Sequence, residues 1–120
     1  MRFMSLIRVN ESTMPEGGPS PELMEDMGKL IDEMTKAGVL LDTAGLRPSA
    51  EATRVHLSGG KMSVTDGPFA EAKEMIGGYA IVQAKSKEEA IEWTKRFLAV
   101  HGDEWDITCE VRQVEEPELP

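Results

Sequence analysis

Cysteine is nearly missing from this chain: Cys109 stands alone among 120 residues, so no disulfide can close within it, and a reducing, cytoplasmic setting is expected. No apolar run approaches the roughly 20 residues of a membrane span. The opening Met1-Arg2-Phe3-Met4-Ser5-Leu6-Ile7 is too short for the core of a signal peptide, so neither insertion nor export is expected. Aromatic residues supply only 5% of the chain; the interior must therefore be built from Met, Leu, Ile, Val and Ala. Positive charge is also short, with 13 Lys and Arg against 22 Asp and Glu and a net charge of −9. Such a field repels polyanions, which argues against nucleic acid and anionic membrane surfaces as partners.

Recognisable chemistry is sparse as well. No His, Cys, Asp and Glu arrangement has metal-ligand spacing. Gly59-Gly60-Lys61 lacks the spacing of a phosphate loop, and no Ser or Cys is recognisably paired with a base. Phosphate transfer, triad hydrolysis, a resident metal and a cofactor are therefore not expected.

What is present is a clear succession of elements in one domain over residues 1–120, a length at which roughly two-thirds of the unfolded surface is buried. Arg2 to Val9 is apolar on both alternations and reads as a central strand. Asn10 to Ser20 carries two prolines and two glycines and reads as a long, mobile connection. Ser20-Pro21-Glu22 starts a helix. Its apolar face is Leu23, Met24, Met27, Leu30, Ile31 and Met34, and Gly38 stops it.

Val39-Leu40-Leu41 and Ala44-Gly45-Leu46 close a strand–helix–strand unit. Thr53 to Ser58 and Met62 to Thr65, joined by Gly59-Gly60, form an inserted hairpin. Ile76 to Lys85 is the next strand. Ser86-Lys87-Glu88-Glu89 is a capping box opening a second helix that Gly102 ends, and Ile107 to Val114 is the last strand. The tail, Glu115 to Pro120, is expected to fray.

This order is α+β and ferredoxin-like: βαββαβ with an inserted β-hairpin, an antiparallel sheet covered on one face by two helices. Since Phe3, Ile7 and Val9 alternate with Met4 and Leu6 in the first strand, the uncovered face is also apolar and calls for a partner. A homodimer with sheets face to face is the economical answer.

The most distinctive stretch is Val64-Thr65-Asp66-Gly67-Pro68-Phe69-Ala70-Glu71-Ala72-Lys73-Glu74, followed by Gly77-Gly78-Tyr79. Asp66-Gly67-Pro68 suits a tight turn, with Asp66 capping a short helical turn over Pro68 to Glu74 and Phe69 filling the core. The alternative is a ligand-contacting loop. Glu71 and Glu74 share a face of such a turn while Lys73 points elsewhere. In a dry cleft one carboxylate would raise the other's pKa and make an acid/base pair; on an open surface both are simply solvated. His101 sits at a helix end where a cation suits the dipole, close enough to the last strand to reach a cleft. His56 lies on the polar alternation of the hairpin, and Trp93 and Trp105 read as packing residues.

The signature, with Ala37-Gly38-Val39-Leu40, Gly45-Leu46-Arg47-Pro48, Gly60-Lys61 and Glu110-Val111-Arg112, resembles the YCII-related, or DGPF, proteins over nearly the whole chain. The resemblance implies a bacterial ferredoxin-like subunit whose sheet packs on its twin as a dimeric α/β barrel, with a cleft in each subunit. It implies no proven activity. Such proteins look like relatives of muconolactone isomerase, and some carry a His and Asp pair in the cleft. Here the helix from Pro21 to Ala37 contains no histidine, so that pair is not carried over.

Two functions are weighed. One is a small-molecule-binding or regulatory accessory module, in line with relatives that look like partners of alternative sigma factors. The other is acid/base chemistry of isomerase or lactone type, with Asp66, Glu71, Glu74 and His101 as catalytic candidates. Gly67, Pro68, Phe69, Lys73 and Tyr79 are the ligand-contact candidates. The site is expected between the Asp66 to Glu74 segment, Tyr79 and the Asn10 to Ser20 loop.

Overall fold

The computed structural model of the protein describes residues 1–69 and 74–116. β1 (Arg2–Val9) lies in the middle of a four-stranded antiparallel sheet, between β5 (Met75–Gln83) and β6 (Ile107–Gln113), with β2 (Leu40–Gly45) at the far edge beyond β5. Two helices, α1 (Pro21–Lys36) and α2 (Lys87–His101), complete the ferredoxin-like α+β order. The remaining strands, β3 (Thr53–Ser58) and β4 (Lys61–Asp66), form a separate two-stranded sheet.

Local chemistry sets the helix limits. At the start of α1 the Ser20 side chain accepts from the Leu23 N–H at 3.1 Å, and Pro21 occupies the first turn where its missing N–H costs nothing. At its end Gly38 adopts φ +73°, while Val39 N–H returns to the Met34 carbonyl and Gly38 N–H to that of Thr35. This is the left-handed stop that glycine accepts without a Cβ penalty. The α2 cap differs from the expected box: Ser86 accepts from Glu89 N–H, but the Glu89 carboxylate reaches the N–H of Lys85, one residue before the cap.

The period of two sorts the sheet. Phe3, Ser5, Ile7 and Val9 pair with Val82, Ala80, Gly78 and Met75 on one side and with Gln113, Val111, Cys109 and Ile107 on the other. A register shift between Ile7 and Arg8 absorbs one residue of β5. The face carrying Phe3, Ser5 and Ile7 is turned to the helices. Met4, Leu6, Tyr79 and Ile81 therefore point to the uncovered face, where they are half-buried beside the ion pair Arg8–Glu110 at 3.5 Å.

The main apolar cluster lies at one end of the sheet. Phe3, only 1% exposed, packs with Leu30, Met34, Val39, Val82, Ala84 and Ala90. Past Gln113 the chain continues the β6 pairing beside β1, with Val114 N–H donating to the Arg2 carbonyl and Arg2 paired with Glu116. No helix among the described residues is long and apolar enough to cross a membrane.

Candidate functional site

Toward the Val9 end of β1 the helices leave the sheet uncovered, and a cleft of about 760 Å³ opens between them. Its floor sets small residues, Ser5, Gly45, Gly77, Gly78 and Ala80, beside the larger Ile7, Val9 and Ile107. The glycine at position 78 is also a packing requirement. A Cβ on Gly78 would come within 2.7 Å of the Ala44 carbonyl oxygen, so glycine is what lets β2 and β5 approach here.

The roof is the apolar face of α1, with Met24, Met27, Leu30, Ile31 and Met34. The far wall holds Trp93, Phe97 and Trp105. Methionine and tryptophan supply large, adaptable contact area, which suits a wall meant to close on something apolar.

Polar groups in the cleft are few, and several are already engaged. Ser5 and Thr94 hydroxyls lie 3.3 Å apart, with Thr94 also donating to the Ala90 carbonyl. His101 is held edge-on between Phe97 and Trp105, at centroid distances of 4.9 and 5.6 Å. Its Nδ1 lies 3.0 Å from the Phe97 carbonyl oxygen, which can only accept. Nδ1 therefore carries a proton, and in the neutral ring Nε2 is the acceptor. The Asn10 to Ser20 connection forms one rim through Glu11, Met14 and Pro19.

The Asp66–Phe69 signature occupies a different place, the base of the hairpin. Asp66 Oδ1 accepts from the Thr53 hydroxyl at 2.9 Å, tying the two strand ends together. Gly67 N–H donates to the Ala52 carbonyl at 2.7 Å, and a Cβ on Gly67 would sit 2.0 Å from the Ser49 carbonyl oxygen. The Gly67–Pro68 peptide is cis. Phe69 is buried with the Arg54 guanidinium 3.7 Å above its ring.

Pro68 and Phe69 border a second, smaller recess with Asn10, Glu11, Ser12, Ser49 and Met75, so the signature does meet the Asn10 loop. Glu71 and Lys73, and with them most of the helical turn expected over Pro68 to Glu74, lie outside the described residues. Glu74 is exposed.

Tyr79 is on the opposite face of the sheet from the large cleft. Its hydroxyl donates to Asp42 at 2.9 Å, and that carboxylate raises its pKa above the ordinary tyrosine range. Of the catalytic and ligand-contact candidates among the described residues, His101 is at the large cleft, and Pro68 and Phe69 are at the small recess. Among the described residues no group of three or more His, Cys, Asp and Glu is placed to hold a metal ion.

The residues that build the large cleft were visible in the sequence as a helix face and as scattered glycines, but not as a cavity. The signal for it was Gly45 together with Gly77-Gly78, small residues where strands otherwise carry bulk.

The signature, the fold and the cleft together define one class. The YCII-related domain family matches residues 1–108, and the chain belongs to it. An uncharacterised protein of Rhizobium meliloti is 33% identical over 73 residues. That match covers 61% of this chain and 59% of the relative, so the chain spans about three-fifths of that protein's length.

Proposed function

We propose that the protein is a small-molecule-binding module that acts as a homodimer, with its ligand in the cleft between α1, α2 and the sheet. The observation that carries this reading is the cleft itself. About 760 Å³ falls within the range of ligand pockets, and the lining is apolar with a few convergent polar groups. The ligand class that fits is an apolar, ring-bearing molecule with one polar group set toward His101. The homodimer rests on the uncovered sheet face, whose Met4, Leu6 and Ile81 are half-buried in a single chain and would be covered by a twin.

The test is native mass spectrometry of the purified protein, followed by titration with an apolar fluorescent probe read through Trp93 and Trp105. A retained metabolite, or saturable probe binding that Met27→Trp abolishes by filling the cleft, supports the reading. A protein that carries nothing and binds no apolar probe overturns it. Sedimentation should report twice 13.2 kDa.

Acid/base chemistry is the second reading, and His101 is the observation that favours it. A histidine whose Nδ1 is held by a backbone carbonyl presents an oriented Nε2 to a bound molecule, as a general base requires. Once a ligand is known, His101→Gln should retain binding and lose any proton exchange from it. Unchanged exchange would leave binding alone.

A further inference from the structure

The hydroxyls and the imidazole of the large cleft have one property in common: their protons are already given to the protein. The Thr43 hydroxyl donates to the Tyr79 carbonyl oxygen at 2.9 Å, and the Thr94 hydroxyl to that of Ala90 at 2.8 Å. Thr94 has no second hydroxyl proton, so in its contact with Ser5 at 3.3 Å the Ser5 hydroxyl is the donor. The His101 Nδ1 proton goes to the Phe97 carbonyl oxygen at 3.0 Å. Ser5, Thr43, Thr94 and His101 all line the cleft.

What these groups have left to offer is lone pairs. A hydroxyl that donates can still accept, and accepts more strongly for having donated, while the neutral imidazole accepts at Nε2. Thr43 and Ser5 flank Ala80 in the register, so they stand two strand spacings, about 10 Å, apart on one face of the sheet. At the rim Glu11 adds a carboxylate, again an acceptor. The side-chain donors on the lining are Arg47, 83% exposed and paired with Glu51, and the indole N–H groups of Trp93 and Trp105.

We propose that the cleft selects its ligand by hydrogen-bond donation: an apolar ring with an O–H or N–H head, a phenol or an amine, donates to His101 Nε2 and to the hydroxyl oxygens of the sheet face. This rests on the ligand-binding reading above and names the head group of that ligand. An ether or carboxylate head sets lone pairs against lone pairs, and the water that served both is lost on binding. Charge acts in the same direction. A chain of net charge −9 repels a carboxylate and attracts an ammonium group, for which the rings of Trp93 and Trp105 are further partners.

The test is calorimetric titration of the full chain with naphthol, naphthylmethylamine, methoxynaphthalene and naphthoate, which share one ring system and differ in the head. At about pH 8 the acid is ionised and the phenol is not. The naphthol, the amine or both should bind at least about tenfold more tightly than the ether, the effect of one hydrogen bond, with the acid weakest. Tight binding of the naphthol alone assigns a neutral donor, and of the amine alone a cationic one.

Two variants locate the acceptors. In His101→Phe the ether should bind as before, which shows the cleft intact, while the donor-headed probes fall to its level. Thr94→Val frees the Ser5 proton to point into the cleft and should narrow the difference between ether and naphthol. An ether or acid that matches the donor-headed probes, or a donor preference that survives both variants, overturns the inference and leaves the cleft as a ligand site. Failure of every probe to bind overturns the ligand-binding reading with it.

Discussion

The Glu11 carboxylate takes both the backbone N–H and the hydroxyl of Ser49, at 3.0 and 2.6 Å, and so ties the loop after β1 to the turn that precedes the hairpin. The hydroxyl bond first, and the backbone bond second, hold the Glu11 pKa below its ordinary 4.5. A folded-state pKa below the unfolded one contributes stability that is complete above pH 4.5 and is lost as pH falls through the lower folded value. Limited proteolysis in the Glu11 to Ser20 loop should therefore accelerate as the pH is taken down from 4.5. In Glu11→Gln it should be fast at neutral pH as well, with the acid dependence at this site gone.

Gly67 has no room for a side chain, because the Ser49 carbonyl oxygen stands where a Cβ would go. Gly67→Ala should cost about 2–4 kcal/mol in chemical denaturation, since the obstacle is backbone and cannot rotate away. Phe69→Ala should cost about 3–5 kcal/mol, as truncation of a buried ring leaves a cavity beneath Arg54. An unchanged midpoint in both would remove the signature's role as the clamp at the hairpin base.

Cys109 faces the helix side of the sheet, and burial pushes its thiol up to about 11. At pH 8 its thiolate fraction is roughly 200-fold below that of an ordinary thiol of pKa about 8.5. Alkylation by iodoacetamide should be slower than that of free cysteine, and should reach the free rate in denaturant.

Gly78 supports both the sheet and the cleft floor. Gly78→Val should displace β2, because its Cβ meets the Ala44 carbonyl oxygen at 2.7 Å, and should narrow the cavity. Thermal stability and apolar-probe affinity should fall together. Loss of stability with full probe binding would place the probe elsewhere.

The elements were legible in the residues because each is a local decision. The Ser20-Pro21 cap, the Gly38 stop, the Gly59-Gly60 turn and the alternation Phe3, Met4, Ser5, Leu6 each act over a few neighbours, so the order of strands and helices could be read directly. The Leu23 to Met34 periodicity showed which side of α1 is apolar. It did not show that half of that side would roof a cleft rather than fill a core.

That was decided by tertiary structure, because a cavity is a difference between two surfaces far apart in sequence. Met27 and Ile31 stay partly open over a cleft whose opposite side includes Gly78 and Ala80, about 50 residues away in sequence. The signature teaches the same lesson. Asp66-Gly67-Pro68 announced a tight turn by composition alone, but only the fold set Ser49 against Gly67 and Thr53 against Asp66. It is also the fold that left Val55, Leu57, Met62 and Val64 uncovered, since β3 and β4 pair with each other instead of joining the main sheet.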